Sequence, residues 1–150
     1  MFLEDIYPLI ESETPKSAKP IIQARTDVSV LGIGTKRIVV SHPKSSAKVI
    51  KIGLGTGVKH NKNEDQLFTK AEQNGLTNKL ATIYSTDPEN RWIVTDKVKD
   101  VCDSPEKFSG PKANQIAEII EQKLNITLYE IETGYLSNGQ VVAYDYGEIV

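Results

Sequence analysis

A single cysteine, Cys102, stands in the 150 residues, so neither an intrachain disulfide nor a cysteine-rich structural zinc site can form. That scarcity fits a reducing compartment. No apolar run approaches the ~18 residues a membrane-spanning helix needs. Met-Phe-Leu-Glu-Asp-Ile opens with acidic residues where a signal peptide has basic ones, so the chain reads as soluble and unexported. Neither charge sign dominates: 18 basic residues against 20 acidic give a net charge of −2, without a dense basic run, which disfavours nucleic acid as a partner. Lys59-His60-Asn61-Lys62 reads as a solvated loop, and His42 and His60 as solvated turn residues. What is present is ordinary globular material, 39% hydrophobic and 25% charged, enough for one domain with a real core.

Residues 1–20 read as an N-terminal segment and linker, and 21–150 as one minimal domain. Phe2, Leu3, Ile6, Leu9 and Ile10 form a rough helical face interrupted by Pro8, and Pro15, Ser17 and Pro20 mark the linker. Beyond it, Val28–Leu31, Ile38–Val40 and Ala47–Ile52 predict a three-stranded antiparallel meander, with the first turn built on Gly32-Ile33-Gly34-Thr35. The glycines of Gly53-Leu54-Gly55-Thr56-Gly57 suit neither strand nor helix. Asn63 is the candidate cap of a helix carrying Leu67, Phe68 and Ala71 and ending at Asn74-Gly75. Leu80–Tyr84 and Trp92–Thr95 predict a hairpin around Asp87-Pro88-Glu89-Asn90. Pro111 opens a helix with Ile116, Ile119, Ile120 and Leu124 on one face. Gly134–Leu136 and Val141–Tyr144 predict a tight hairpin about Ser137-Asn138-Gly139.

Gly32 and Gly34 lie between two strands, whereas a dinucleotide fingerprint needs glycines that open a helix. Glycines in a strand-loop-strand, with a lysine on the next strand, resemble the protein-kinase fold. Gly32-x-Gly34 is similar to the family's phosphate-covering loop, although Arg37 stands where its third glycine belongs. Val39 resembles the residue that touches the base, Val49-Ile50-Lys51 the strand bearing the phosphate-contacting lysine, and Glu64 the carboxylate that holds that lysine. Trp92–Lys97 resembles the strand entering the hinge. Asp145-Tyr146-Gly147 resembles the family's Asp-Phe-Gly triplet, whose aspartate holds magnesium. Gly55 through Asn61-Lys62-Asn63-Glu64, and Asp145-Tyr146-Gly147-Glu148, also resemble very small kinase-like proteins of archaea and their viruses. The resemblance covers about residues 28–148.

It implies an α+β fold: a five-stranded antiparallel small-lobe sheet with one helix, then a minimal second lobe of a helix and a β-hairpin. It implies nucleotide contacts at Gly32, Gly34, Val39, Lys51, Glu64 and Asp145, with Asp145 on the metal. ATP with magnesium and no cofactor at all stand as equal alternatives. The departures bear on activity. Where the family has His-Arg-Asp, whose aspartate takes the substrate proton, this chain has Leu128–Gly134, with Glu130 or Glu132 as the only substitutes. Thr133 or Gly134 replaces the second metal-binding asparagine. Only three residues follow Gly147, which leaves no activation segment within these 150.

Two functions follow as expectations. One is a catalytically impaired kinase-like binding or assembly module, cytoplasmic, or in the virion on the viral branch. Its partner would be another protein or a second copy, and residues 1–20 would dock. The other is a magnesium-ATP small-molecule phosphotransferase. Plainer readings stand beside both: Lys51 and Glu64 as a surface pair, Asp145 as a turn stabiliser, Tyr135, Tyr144 and Tyr146 as hairpin packing, and Trp92 as a core anchor. Arg37, Tyr144 and Tyr146 are the side chains suited to closing a nucleotide pocket.

Overall fold

A computed structural model describes residues 2–100, 111–128 and 132–146. The fold is α+β, with a five-stranded antiparallel sheet, and the chain divides into two compact units. The first comprises residues 1–61 and 84–95, the second 62–83 and 96–150.

Two helices open the first unit. Helix α1 (Phe2–Ile10) buries Leu3, Ile6, Tyr7 and Ile10, a spacing of three and four residues that places all of them on one face. Helix α2 (Pro15–Arg25) starts from a reciprocal cap: the Ser17 amide donates to Thr14 Oγ1 at 3.1 Å, and the Thr14 amide donates to Ser17 Oγ at 3.0 Å. Pro15 occupies the first turn, where its missing N–H goes unneeded. The linker expected around Pro15, Ser17 and Pro20 is therefore a helix. Pro20 sits inside it at the loss of one backbone bond, and burial of Ala18 and Ile22 offsets that loss.

Strands β1 (Val30–Ile33), β2 (Arg37–Ser41) and β3 (Lys48–Gly53) form the expected antiparallel meander. β4 (Ile83–Thr86) and β5 (Trp92–Asp96) complete the sheet in the order β1-β2-β3-β5-β4. Ile38, Val40, Ile50, Ile52, Trp92 and Val94 pack with Leu3, Ile6, Ile10 and Ile22 into one core. Trp92 is the core anchor the sequence suggested. The Tyr7 hydroxyl crosses to the sheet and donates to the Gly53 carbonyl at 2.8 Å. Leu3, Ile6, Tyr7, Ile10 and Ala18 of the N-terminal segment thus belong to the core of this unit.

Helix α3 (Gly57–Gln73) begins six residues before Asn63. Gly53 closes β3 and Gly57 opens the helix, so the glycine stretch serves both elements it seemed to exclude. A side chain at Gly57 would bring its Cβ to 2.0 Å from the Lys36 carbonyl oxygen; only glycine allows the helix to start so close to the β1–β2 turn. The Lys59–Lys62 stretch is the first part of this helix, with His60 and Asn61 buried rather than solvated. The helix ends as expected, with Gly75 at φ 69° and the Leu76 amide donating to the Ala71 carbonyl at 2.9 Å.

In the second unit a 3-10 turn (Thr77–Lys79) leads to Leu80, and β6 (Lys99–Asp100), β7 (Glu132–Tyr135) and β8 (Val141–Tyr144) form a sheet in that order. The hairpin of β7 and β8 was legible; its third strand, β6, was not. Helix α4 (Pro111–Leu124) starts at its proline and buries Ile116 and Ile120. Asn125, at φ 53°, ends it in the left-handed conformation, and the Ile126 amide bonds back to the Glu121 carbonyl at 3.2 Å. Leu67, Phe68, Ala71, Leu80, Ala143 and Tyr146 join the two isoleucines in this unit's core. Among the described residues no helix is long and apolar enough to cross a membrane.

Candidate functional site

Cross-strand register determines what the first unit presents. Gly32 pairs with Val39, and Val39 with Lys51, so the three residues form one row across β1, β2 and β3. Side chains alternate along a strand, and Ile38, Val40, Ile50 and Ile52 fill the core; the row therefore lies on the opposite face. Lys51 is nonetheless buried there, 7% exposed, which a solvent-side strand lysine would not be. Gly34 closes the β1–β2 turn, its amide donating to the Arg37 carbonyl at 2.9 Å.

Arg37 is turned away from that glycine turn and is buried. Its Nη1 donates to Asn61 Oδ1 at 3.1 Å. Asn61 is fully buried, and its Nδ2 donates to the carbonyls of Asn90 at 3.0 Å and Arg91 at 3.3 Å. One amide side chain thus ties the opening of α3 to the β4–β5 turn and to β2. Sequence reasoning missed Asn61, because an asparagine among lysines carries the pattern of a loop.

The β4–β5 turn has its own charged lock. Arg91 donates to Asp87 through Nε at 2.6 Å and Nη2 at 2.9 Å, and its guanidinium lies 4.6 Å from the Trp92 ring centre. Those bonds hold the Asp87 carboxyl below its ordinary range and push the Arg91 guanidinium up. This is a structural device that holds the hairpin.

In the second unit Glu64 and Asp145 come together although 81 positions separate them. Glu64 is fully buried on α3, and Asp145 follows β8 with φ 56°, a left-handed conformation that aspartate tolerates better than most residues. Carboxylate oxygens of the two lie within 4.8 Å of each other. Two carboxylates that close repel unless a proton or a cation stands between them. The burial of Glu64 and Lys51 overturns the surface-pair reading. Asp65, the next residue on α3, has its carboxyl pushed up by burial. His60 precedes Glu64 by four positions on the same helix. Its signal in the sequence was the four-residue His-to-Glu spacing, which puts both on one helical face.

Three of the residues offered in place of the family's catalytic loop, Glu132, Thr133 and Gly134, are strand residues. Glu132 is exposed on β7 opposite Tyr144. Thr133 is buried opposite Ala143. Gly134 lies so close to β6 that an added Cβ would stand 2.3 Å from the Lys99 carbonyl oxygen. Glu130, Cys102, Gly147 and Glu148 lie outside the described residues. Tyr146 is packed in the second unit's core with its hydroxyl donating to the Ala81 carbonyl at 3.0 Å. Tyr144 and Tyr135 are half-buried in the hairpin. No protein-family model matches the chain, and no curated protein matches it in sequence.

Proposed function

We propose that the chain is a kinase-like module that binds a magnesium-nucleotide and does not phosphorylate proteins, acting through what it binds. In this reading the Gly32–Val39–Lys51 row and Gly34 receive the nucleotide, with Lys51 supplying positive charge for phosphate. The acid pair of the second unit, Glu64 and Asp145, supplies the negative charge for a divalent cation. The observation that carries the reading is the convergence of Glu64 and Asp145. Two carboxylates this close favour positive charge beside them, and a divalent cation would supply it.

The placement of Glu132, Thr133 and Gly134 in a paired strand supports the absence of protein-kinase chemistry. A general base must reach the acceptor hydroxyl, and residues held in a ladder are not arranged as a catalytic loop. The small-molecule phosphotransferase reading would depend on Glu130, outside the described residues, or on Glu132, exposed on a paired strand. The module's partner is another protein or a second copy, in the cytoplasm or, on the viral branch, as a virion component. Leu3, Ile6, Tyr7, Ile10 and Ala18 face the core, so docking by the N-terminal segment would use its outer face, where Leu9 is exposed.

The test is thermal unfolding with and without magnesium-ATP, on the parent chain and on Lys51→Ala and Asp145→Ala. Ligand at about 100 times its dissociation constant stabilises by ~2.7 kcal/mol, which raises the melting temperature by about 5–10 °C for this length. The reading requires a shift that both substitutions abolish. No shift at millimolar nucleotide with folded protein refutes it.

A further inference from the structure

Asn61 has no part in the nucleotide reading, yet it is bonded to both groups that this reading uses in the first unit. Its Oδ1 accepts from Arg37 Nη1 at 3.1 Å, and the Arg37 carbonyl accepts the Gly34 amide at 2.9 Å, the bond that closes the β1–β2 turn. Its Nδ2 donates to the carbonyls of Asn90 at 3.0 Å and Arg91 at 3.3 Å, and reaches the Lys51 carbonyl at 3.5 Å. Arg37, Lys51, Asn61, Asn90 and Arg91 all belong to the first unit. We propose that Asn61 is a positioning residue, which holds the Gly32–Gly34 turn and the strand of Lys51 in the nucleotide-receiving arrangement before any ligand is present.

The chemistry of the side chain suits this work. A carboxamide offers an acceptor and two donors from one planar group. Here the oxygen meets an arginine and the nitrogen meets carbonyls, so an aspartate of the same shape satisfies one side only and a leucine neither. Asn61 is fully buried, and each bond it loses leaves a partner without compensation from water. The backbone reinforces the side chain. Within the turn, the Lys36 carbonyl accepts the Leu54 amide at 3.0 Å, and Gly57 packs against that carbonyl with no room for a Cβ. The Arg91 carbonyl that Asn61 meets also accepts the Gly53 amide at 2.8 Å, at the end of the strand that bears Lys51. The segment from Gly53 to Asn61 thus holds the turn and the lysine strand to one support. A turn that ligand must order loses roughly tenfold in affinity for each residue fixed at that moment. A turn already fixed avoids the loss.

This deepens the function proposed above and rests on its nucleotide. The hold on the turn itself does not, because it is a property of the chain without ligand, and the two are measured separately.

The experiment follows amide hydrogen exchange at Gly34 by NMR on the full chain without nucleotide, and magnesium-ATP affinity by isothermal titration, at a temperature where every variant is folded. The expected result is a protected Gly34 amide in the parent, exchanging at least about tenfold faster in Asn61→Ala, with ATP affinity lowered about tenfold or more. Arg37→Met serves if the Asn61 variant fails to fold, because it frees the turn and keeps the amide's bonds to the β4–β5 turn; circular dichroism checks each variant. Leu3→Ala, in the core of the same unit, is the control: it should lower stability and leave ATP affinity unchanged. A Gly34 amide unprotected in the parent, or exchanging at the parent's rate in both variants, overturns the proposal. Faster exchange with unchanged ATP affinity overturns the positioning role, as does an equal loss of affinity in Leu3→Ala. A parent that binds no ATP yet shows the expected exchange pattern overturns the nucleotide reading and supports the hold on the turn.

Discussion

Replacing Gly57 by alanine sets two effects of opposite sign against each other. Alanine is the better helix former, by up to about 1 kcal/mol, and Gly57 opens a seventeen-residue helix. Against this stands the Lys36 carbonyl oxygen, 2.0 Å from where the new Cβ would sit, with the Lys36 carbonyl carbon at 3.0 Å. Ordinary contact begins near 3.4 Å, so about 1.4 Å must open between two stretches of backbone. That oxygen also accepts the Leu54 amide at 3.0 Å, and retreat from Cβ disturbs this bond. Overpacking of this kind costs roughly 1–3 kcal/mol, and a weakened hydrogen bond about 1 more. The substitution should therefore destabilise by about 1–3 kcal/mol net, lowering the melting temperature by roughly 2–12 °C. Gly32→Ala is the matched control, because its nearest neighbour would be Val39 Cβ at 3.9 Å. It should be neutral or mildly stabilising. Thermal unfolding of both variants without ligand settles the matter. A Gly57→Ala chain as stable as its parent would refute the close approach and the account of why glycine opens α3.

Leu3→Ala should cost about 2–5 kcal/mol in thermal or urea unfolding, the range for a fully buried leucine, whereas a residue in a docking segment would cost almost nothing. Asp87→Asn should cost roughly 1–2 kcal/mol at neutral pH, after allowance for the partly exposed arginine. Because the folded state holds the Asp87 carboxyl below its ordinary range, its contribution is complete above that range and vanishes as pH falls through the lowered value. Stability measured against pH should show the parent and Asp87→Asn curves converging in acid; a gap constant down to strong acid would rule out the charged lock.

Elements marked by alternation or by turn chemistry were legible from residues alone. The β1–β3 meander shows in its β-branched runs, and α4 in Pro111 and the four apolar positions that follow. What escaped has a common physical cause. The first turns of α3 bury polar side chains, His60 and Asn61, the latter bonded to distant carbonyls, and hydropathy cannot register such burial. Helix α2 was obscured by two prolines. Its start signal, Thr14 before Pro15 with Ser17 three positions on, was present but was read as a breaker. β6 is two residues long and gains its place from pairing with β7, a non-local cause. For the site, Lys51, Glu64 and Asp145 stood out by order along the chain, while the burial of Asn61 became visible only when α3 proved to be helical from Gly57.

The first unit is discontinuous, and that bears on the order in which the chain can fold during synthesis. Trp92 and Val94 belong to the same core as Leu3, Ile22 and Ile50. When Asn61 has just left the ribosome, α1, α2 and the meander are complete, but β3 still lacks β5, its neighbour in the sheet. Thirty-odd further residues, most of them destined for the other unit, must emerge before the sheet closes over its apolar side. A nascent chain arrested in that interval exposes an unpaired, hydrophobic strand edge, the surface that holding chaperones recognise. The ribosome, by this account, releases the first core only after it has made a large part of the second.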